Sequence, residues 1–563
     1  MIIKLRIAVV GGGPSGLFMF KRLLASGRQD ISITLYERKN KLGPGMPYSA
    51  EGANDEHITN VSGNEIPELV TSLQEWVKTI SKDTLDKYHI DADRFNDYKV
   101  LPRLLFGQYL NAQFGLLQKR AREAGIDYTV CYNATATDII DRPGQGVVLV
   151  EVDGGKKFEF DRVIICTGHN WPKQYEGSVA GYYDSPYPPS KLALQLNHPV
   201  AIKGSSLTAV DAIRTLARYH GIFDKNKDGK LAYCLLKENP DFKMVLHTRH
   251  GMLPAVRFHL DDPHLSNDEL LTEAEIAAHI KKNQGFLSLD YVFEHDFKNP
   301  IKTKAPEFYE KIRHMDMEAF VEAMMAMRED IGPFELLKAE YAEAARSIRQ
   351  KKSVYWKEML GVLSFALNYP AKYLSAEDML RLQSILSPLI SIVIAYIPQS
   401  SGEELMALHE AGVLDLVPVG EDSRVEPHET GGATYYRDGK SVHFSTYIDC
   451  AGQPHLAYED LPFKSLLEGR TVSPAKLKFR SAEFGQKAVK GGQPVTRDNH
   501  GDYYLQVPGI TINDHFQIID SYGALNERIY MMAVPYIGGY NPDYSGLDFC
   551  EEASKRISQS ILL

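Results

Sequence analysis

The chain is narrowed first by what it lacks. It has five cysteines among 563 residues, Cys131, Cys166, Cys234, Cys450 and Cys550, and no two of them stand at C-x-x-C spacing. That argues against a redox-active dithiol of this motif and against a cysteine-based metal site. Cys166, inside an apolar run, reads as a small buried hydrophobe. The longest apolar stretch, Leu386 to Ile397, contains Ser and Pro and is too short to span a bilayer. Positive charge is in deficit, with 63 Lys and Arg against 73 Asp and Glu, for a formal charge of -10. This argues against nucleic acid or an anionic membrane as partner. The opening MIIKLRIAVVGGG holds only four consecutive apolar residues before its glycines, short for a secretion signal, and reads as a strand. A cytoplasmic location is the expectation.

At 44% hydrophobic and 24% charged residues the composition is that of a globular protein, and the length implies roughly two to four domains. Its most informative stretch is Lys4 to Asn40. Ile7 to Val10 form a short apolar strand, and Gly11, Gly13 and Gly16 follow at G-x-G-x-x-G spacing with Pro14 and Ser15 between. A helical period covers Leu17 to Leu24, and Ile31 to Leu35 make a second strand that ends at Glu37. In such a unit the first glycine permits the tight turn, the second admits a pyrophosphate to the backbone, and the third lets helix and sheet pack closely. The helix N-terminus offers N–H groups and a positive dipole end to the phosphates. Glu37 stands where a carboxylate accepts ribose hydroxyls, with Arg38 beside it. The unit reads as an adenine dinucleotide site.

Further along, the GPGMPYS loop, the Thr59-Asn60-Val61 stretch and a helical Leu69 to Ile80 follow. LPRLLFGQYLNAQFGLL at Leu101 to Leu117 reads as a packing helix from which Arg103 is kept as a cofactor contact. Phe158 to Ile165 reads as a strand that ends in Cys166-Thr167-Gly168-His169. VAIKGSSLTAVDAIRTLA from Val200 reads as a second dinucleotide unit, with Gly204, Ser206 and Ala209 at the three glycine positions. Met244 to His247 is its next strand, and Arg249 follows where other dinucleotide folds read the 2′ position; a basic residue there favours NADPH over NADH. DKNKDGK at Asp224 to Lys230 imitates half an EF-hand loop, but Leu235 stands where calcium needs a glutamate, so it reads as a solvated turn. From about His264 to Gly420 helix formers dominate, and Met324 to Met327 read as helix core rather than pocket lining. Strands return at Ser441 to Tyr447, ending Asp449-Cys450-Ala451-Gly452. The chain closes with a strand, a Gly538-Gly539 turn and a helix that starts at Ser545, Gly546 and Leu547.

IAVVGGGPSG, GPGMPYS, ITNV, LPRLLFGQYL and IICTGH together resemble the bacterial FAD-NAD(P)-binding protein family, related to flavin-dependent monooxygenases and to glutathione-reductase-type two-dinucleotide-binding flavoproteins. The resemblance implies that Gly11, Gly13, Gly16 and Glu37 hold the adenosine and pyrophosphate of FAD. It implies that Met46, Tyr48, Asn60, Thr167 and Gly168 lie along the same cofactor. It also implies that residues 544–547 point at the flavin pyrimidine ring; the usual Gly-Asp pair before them is replaced by Tyr536-Ile537-Gly538-Gly539.

The expected architecture is α/β: a discontinuous Rossmann-like FAD domain (1–175 and 426–563), an inserted NAD(P)H-binding-like domain (176–262) and a helical cap (263–425). The expected function is an FAD-dependent oxidoreductase, foremost an NADPH-driven monooxygenase of a small organic substrate. A dehydrogenase or oxidase reduced directly by its substrate is the second reading, and a non-catalytic flavin-binding module the third. The cofactor carries the chemistry in such proteins, so no catalytic triad or metal cluster is needed, and the sequence offers none.

Overall fold

The computed structural model describes residues 4–260, 270–453, 455–540 and 546–562. The strand Leu5–Val10 ends in four residues with almost no exposure, because it runs inside a parallel sheet covered on both faces. Val10 stands opposite Tyr36 on one side and Ile165 on the other. The sheet has six strands in the order Gln517–Ile519, Leu525–Met531, Arg162–Ile165, Leu5–Val10, Ile31–Glu37, Asp127–Tyr132. The edge strand Gln517–Ile519 is antiparallel to its neighbour, and the other pairings are parallel. The beginning and the end of the chain thus share one sheet.

The helix Pro14–Ala25 starts on a proline, which has no N–H to waste at that position. It packs against the closing helix Gly546–Leu562. Ser15 Oγ lies 3.5 Å from Cys550 Sγ, Lys21 pairs with Glu551 at 2.9 Å, and Arg28 donates to the carbonyl of Leu562 at 3.1 Å. Contacts that advance together along both helices mean that the two run parallel, with their N-termini at the same end of the sheet.

A second sheet of five parallel strands has the order Leu414–Pro418, Lys243–Thr248, Pro199–Lys203, Thr446–Asp449, Tyr182–Tyr183. It repeats the plan of the first. In each, a strand, a helix (Pro14–Ala25; Leu207–His220) and two more parallel strands precede a three-stranded antiparallel meander, and the strand after the meander returns beside the first. The meanders span 136–160 and 424–444. The helical insertion enters the second unit after Lys243–Thr248, where the first unit carries the long loop that follows Glu37. Most of its apolar interior is continuous with that of the first sheet, while Phe334, Leu337, Ala344 and Leu405 join the separate core of the second sheet.

Four expectations are revised. The helix expected over Leu69 to Ile80 shortens to Leu73–Val77, and a separate helix, Lys82–Lys87, follows it; Ser72 and Ser81 cap the two starts. The strand expected over Ser441 to Tyr447 breaks at Ser445 into Lys440–Phe444 of the meander and Thr446–Asp449 of the second parallel sheet. Strands 414–418 and 446–449 therefore belong to the second unit, which reaches beyond 176–262 into the ranges expected for the cap and for the completion of the first domain. The methionines divide: Met324 is 8% exposed inside the cap core and Met327 is 64% exposed at the surface.

Candidate functional site

The glycine turn is shaped by what it touches. Gly11 has φ +110°, and a Cβ there would lie 2.6 Å from the carbonyl oxygen of Cys166, on the strand that returns beside it. At Gly16 a Cβ would overlap the carbonyl of Gly11, and at Gly13 it would press on Gly45 at 3.2 Å. No side chain caps the helix at Gly13, so its first N–H groups stay available to an anion. Glu37 accepts from Gly12 N at 2.8 Å and from Lys39 N at 2.9 Å, which fixes the carboxylate at the mouth of the turn and leaves each oxygen a further lone pair. Thr167 Oγ1 is buried with no hydrogen-bond partner at the end of the return strand. A tight glycine cradle, an uncapped helix start and an orphaned hydroxyl fit a dinucleotide pyrophosphate and its ribose.

The other expected residues of this site fall at several depths. Ser15 faces Cys550, whose thiol is pushed up to about 12 by burial. Tyr48 packs edge-on against Phe106 at 4.9 Å, and burial raises its hydroxyl to about 12, with Asp548 acting in the same direction. Met46 closes the loop through its carbonyl, which Ser49 N reaches at 3.2 Å, and Arg38 reaches out to Glu51 at 3.1 Å. Gly168 is open to solvent. Gly538 and Gly539 are buried, and Gly539 donates to the carbonyl of Pro508 at 3.0 Å. Gly546 is exposed with φ +86° and open space around it, while Leu547 is buried. Ser545 lies outside the described residues.

The second turn repeats the first. Gly204 has φ +98°, a Cβ on it would lie 2.8 Å from the carbonyl of Cys450, and its N–H bonds to His247 as that of Gly11 bonds to Tyr36, both at 2.9 Å. Ser206 caps nothing with its side chain at the start of Leu207–His220. By this register Thr248 stands where the first unit has Glu37, and Arg249 follows it. Around the turn opens a cavity of about 640 Å³, lined among others by Gly204, Ser206, Arg249, Tyr435 and, from the cap, Ile392. Tyr435 is 4% exposed and its hydroxyl has no partner. His247 stacks on Tyr435 at 4.0 Å, and burial drives its imidazole down to about 4, so it stays neutral. Arg249 and His250 both face Glu421, at 3.6 and 3.8 Å. Lys203, which breaks the apolar strand in the sequence, pairs with Asp449 at 2.9 Å across the strand ends.

Buried polar groups join the two units. Arg103 donates to Ile58 O at 3.2 Å and pairs with Asp211, on the second unit's helix, at 2.5 Å. Asp211 also accepts from Tyr187 Oη at 2.6 Å. Burial alone would raise the Asp211 carboxyl, but Arg103 and the hydrogen bond from Tyr187 act the other way, and the group lies below the usual carboxylate range. His57 accepts from Asn54 N on Nδ1, which leaves Nε2 to donate toward Asp211 O and Thr215 Oγ1; burial lowers its pKa and keeps it neutral. The two return-strand ends meet where Gln453 accepts from Asn170 N at 3.1 Å. In a second cluster Arg257 pairs with Glu65 and donates to the carbonyl of Asn60. Sequence reasoning passed over Asp211 and Arg257. Each is a lone charge in an apolar run, VDAI and GMLPAVRF, and that is the signal that marks them.

Two parallel-sheet units built on one plan, joined by a buried polar seam and bearing one helical insertion, make up the α/β fold of this chain. Residues 8–170 match the FAD-NAD(P)-binding family model and residues 272–394 the YdhS-like middle domain model. The N-terminal segment is an FAD-NAD(P)-binding domain. Over 559 residues the chain is 27% identical to the uncharacterized protein YdhS of Escherichia coli (strain K12), covering 99% of this chain and 97% of that protein. Among solved structures it is similar to DfoA bound to FAD, the cadaverine monooxygenase of Erwinia amylovora, at 12% identity and TM-score 0.44 over 99% of this chain and 94% of that one. It is also similar to the bacillithiol disulfide reductase Bdr of Staphylococcus aureus, at 10% identity and TM-score 0.42 over 99% and 98%. Among the described residues no group of His, Cys, Asp and Glu could hold a metal ion, and no helix is long and apolar enough to cross a membrane.

Proposed function

We propose that the chain is an NADPH-using flavin monooxygenase of a small organic substrate. The observation that carries the reading is the doubled unit: one glycine turn in an FAD-NAD(P)-binding domain and a second, with its own cavity, joined to it by buried contacts. Bound together, FAD and the nicotinamide supply hydride transfer and, with dioxygen, oxygenation. The residues of this chain bind and orient. Gly11, Gly13, Gly16 and the start of the first helix take the pyrophosphate of FAD, Glu37 its ribose, and Thr167 a neighbouring hydroxyl or phosphate oxygen. Met46, Tyr48 and Asn60 lie along the cofactor, and the start of the closing helix faces the flavin ring. In the second unit Gly204 and Ser206 take the nicotinamide nucleotide's pyrophosphate. A carboxylate at the Glu37 position would repel a 2′-phosphate, and the second unit has Thr248 there, followed by Arg249 and His250, so NADPH is favoured over NADH.

The absence of a C-x-x-C pair favours an oxygenase over a dithiol-linked reductase. Purified protein should consume NADPH aerobically in proportion to an added substrate, with one atom of isotopically labelled dioxygen found in the product. Substrate-dependent turnover with no label in any product would reject oxygenation and favour a dehydrogenase.

A further inference from the structure

Residues 251–260 touch three other parts of the molecule and carry a buried charge that neither nucleotide turn explains. At their start, Ser205 of the second glycine turn donates to the carbonyl of Met252 at 2.6 Å, and Met252, Leu253 and Pro254 line the 640 Å³ cavity. In the middle the backbone is tied to the end of the cap. Ala255 N bonds to Ile392 O, Ile397 N to Ala255 O and Arg257 N to Ile397 O, at 2.8–2.9 Å. Beyond that, the Arg257 side chain crosses to the first unit. It is 7% exposed, pairs with Glu65, and donates to Asn60 O and to Ser62 Oγ, the last at 2.6 Å. Tyr396 donates to the other Glu65 oxygen at 3.0 Å, and Asp548 at the start of the closing helix lies within electrostatic reach of Tyr396.

A buried ion pair is a weak way to gain stability, since apolar side chains of similar volume do as well. What a guanidinium adds is a rigid fork that fixes several acceptors at once. Here the acceptors are three points on one loop of the first unit, and the backbone bearing the fork starts in the wall of the second unit's cavity. We propose that Arg257 is a positioning residue: its guanidinium fixes the Asn60–Glu65 loop to residues 251–260, so that a nucleotide filling the second cavity resets that loop beside the first site. This rests on the reading of the cavity as a nucleotide site. A ligand that presses on Met252 to Pro254 or competes for Ser205 moves a segment whose next residues are hydrogen-bonded to the cap, and Arg257 carries the shift to Asn60, Ser62 and Glu65.

The test uses the full chain with its copurified FAD, and NADP⁺, which fills the cavity without donating hydride. Calorimetry measures binding, amide hydrogen exchange reports residues 57–65, and a difference spectrum reports the flavin. In the parent, NADP⁺ is expected to slow exchange at 57–65 and to shift the flavin spectrum. Arg257→Lys keeps the charge and loses the fork; it should bind NADP⁺ with parent affinity and lose both responses. Tyr396→Phe removes one hydroxyl and should weaken both responses, and it decides the matter alone if Arg257→Lys does not fold. Binding with no response at 57–65 in the parent, or parent-like responses in the variants, overturns the proposal while leaving the nucleotide reading intact. No NADP⁺ binding to the parent overturns both.

Discussion

Arg103 and Asp211 form an ion pair of 2.5 Å across the boundary between the two parallel-sheet units, with side chains 15% and 5% exposed. Removing one partner leaves a charge buried and uncompensated. Arg103→Met is expected to cost about 3–5 kcal/mol in urea denaturation. The folded pKa of Asp211 lies below its unfolded value, so its stabilising contribution is complete above the unfolded value and is lost as pH falls through the folded one. The deficit of the variant should therefore shrink in acid. Equal stability of parent and variant at neutral pH would contradict the assignment.

A Cβ on Gly13 would stand 3.2 Å from Gly45, and on the proposed reading the Gly13 backbone is where a pyrophosphate approaches. Gly13→Val is expected to purify folded but without flavin, read from the visible spectrum and the far-UV circular dichroism of one sample. Full FAD occupancy in the folded variant would remove the first turn from the cofactor site.

Glu421 faces Arg249 and His250, which line the second cavity, so on the proposed reading a 2′-phosphate has to compete with it. Arg249→Ala should erase most of the preference for NADPH over NADH, about tenfold for one charge-assisted hydrogen bond. Glu421→Gln should enlarge the preference by freeing Arg249. Stopped-flow reduction with both nucleotides reads each ratio, and unchanged ratios in both variants would place the 2′ position elsewhere.

Gly546 begins the closing helix at φ +86° with open space around it. Reduced flavin carries negative charge near N1, which a helix N-terminus stabilises by about 0.3–1 kcal/mol. Gly546→Val strains that start and should lower both the reduction potential and the flavin affinity. Parent values in the variant would make the helix only a closing element of the sheet.

How far the sequence could be read differs between the two units. Ile7 to Glu37 was fully legible, because glycine spacing, apolar run and acid all express one local geometry. The second turn was visible through Gly204 despite the loss of two glycines, since the close approach to the Cys450 carbonyl demands glycine only there. The extent of the second unit was not legible. Its strands 414–418 and 446–449 are distant in sequence, and their place follows from pairing with 243–248 and 199–203. Arg103 was singled out from sequence as a cofactor contact; its carboxylate partner lies 108 residues away, on a helix whose apolar period hides it.

The central claim, that two nucleotide sites act on one flavin, is tested most directly by mixing the purified protein anaerobically with NADPH and following its visible flavin absorbance. FAD is expected to copurify and to be bleached by NADPH, faster than by NADH. A protein that carries no FAD, or whose FAD neither nucleotide bleaches, would contradict it.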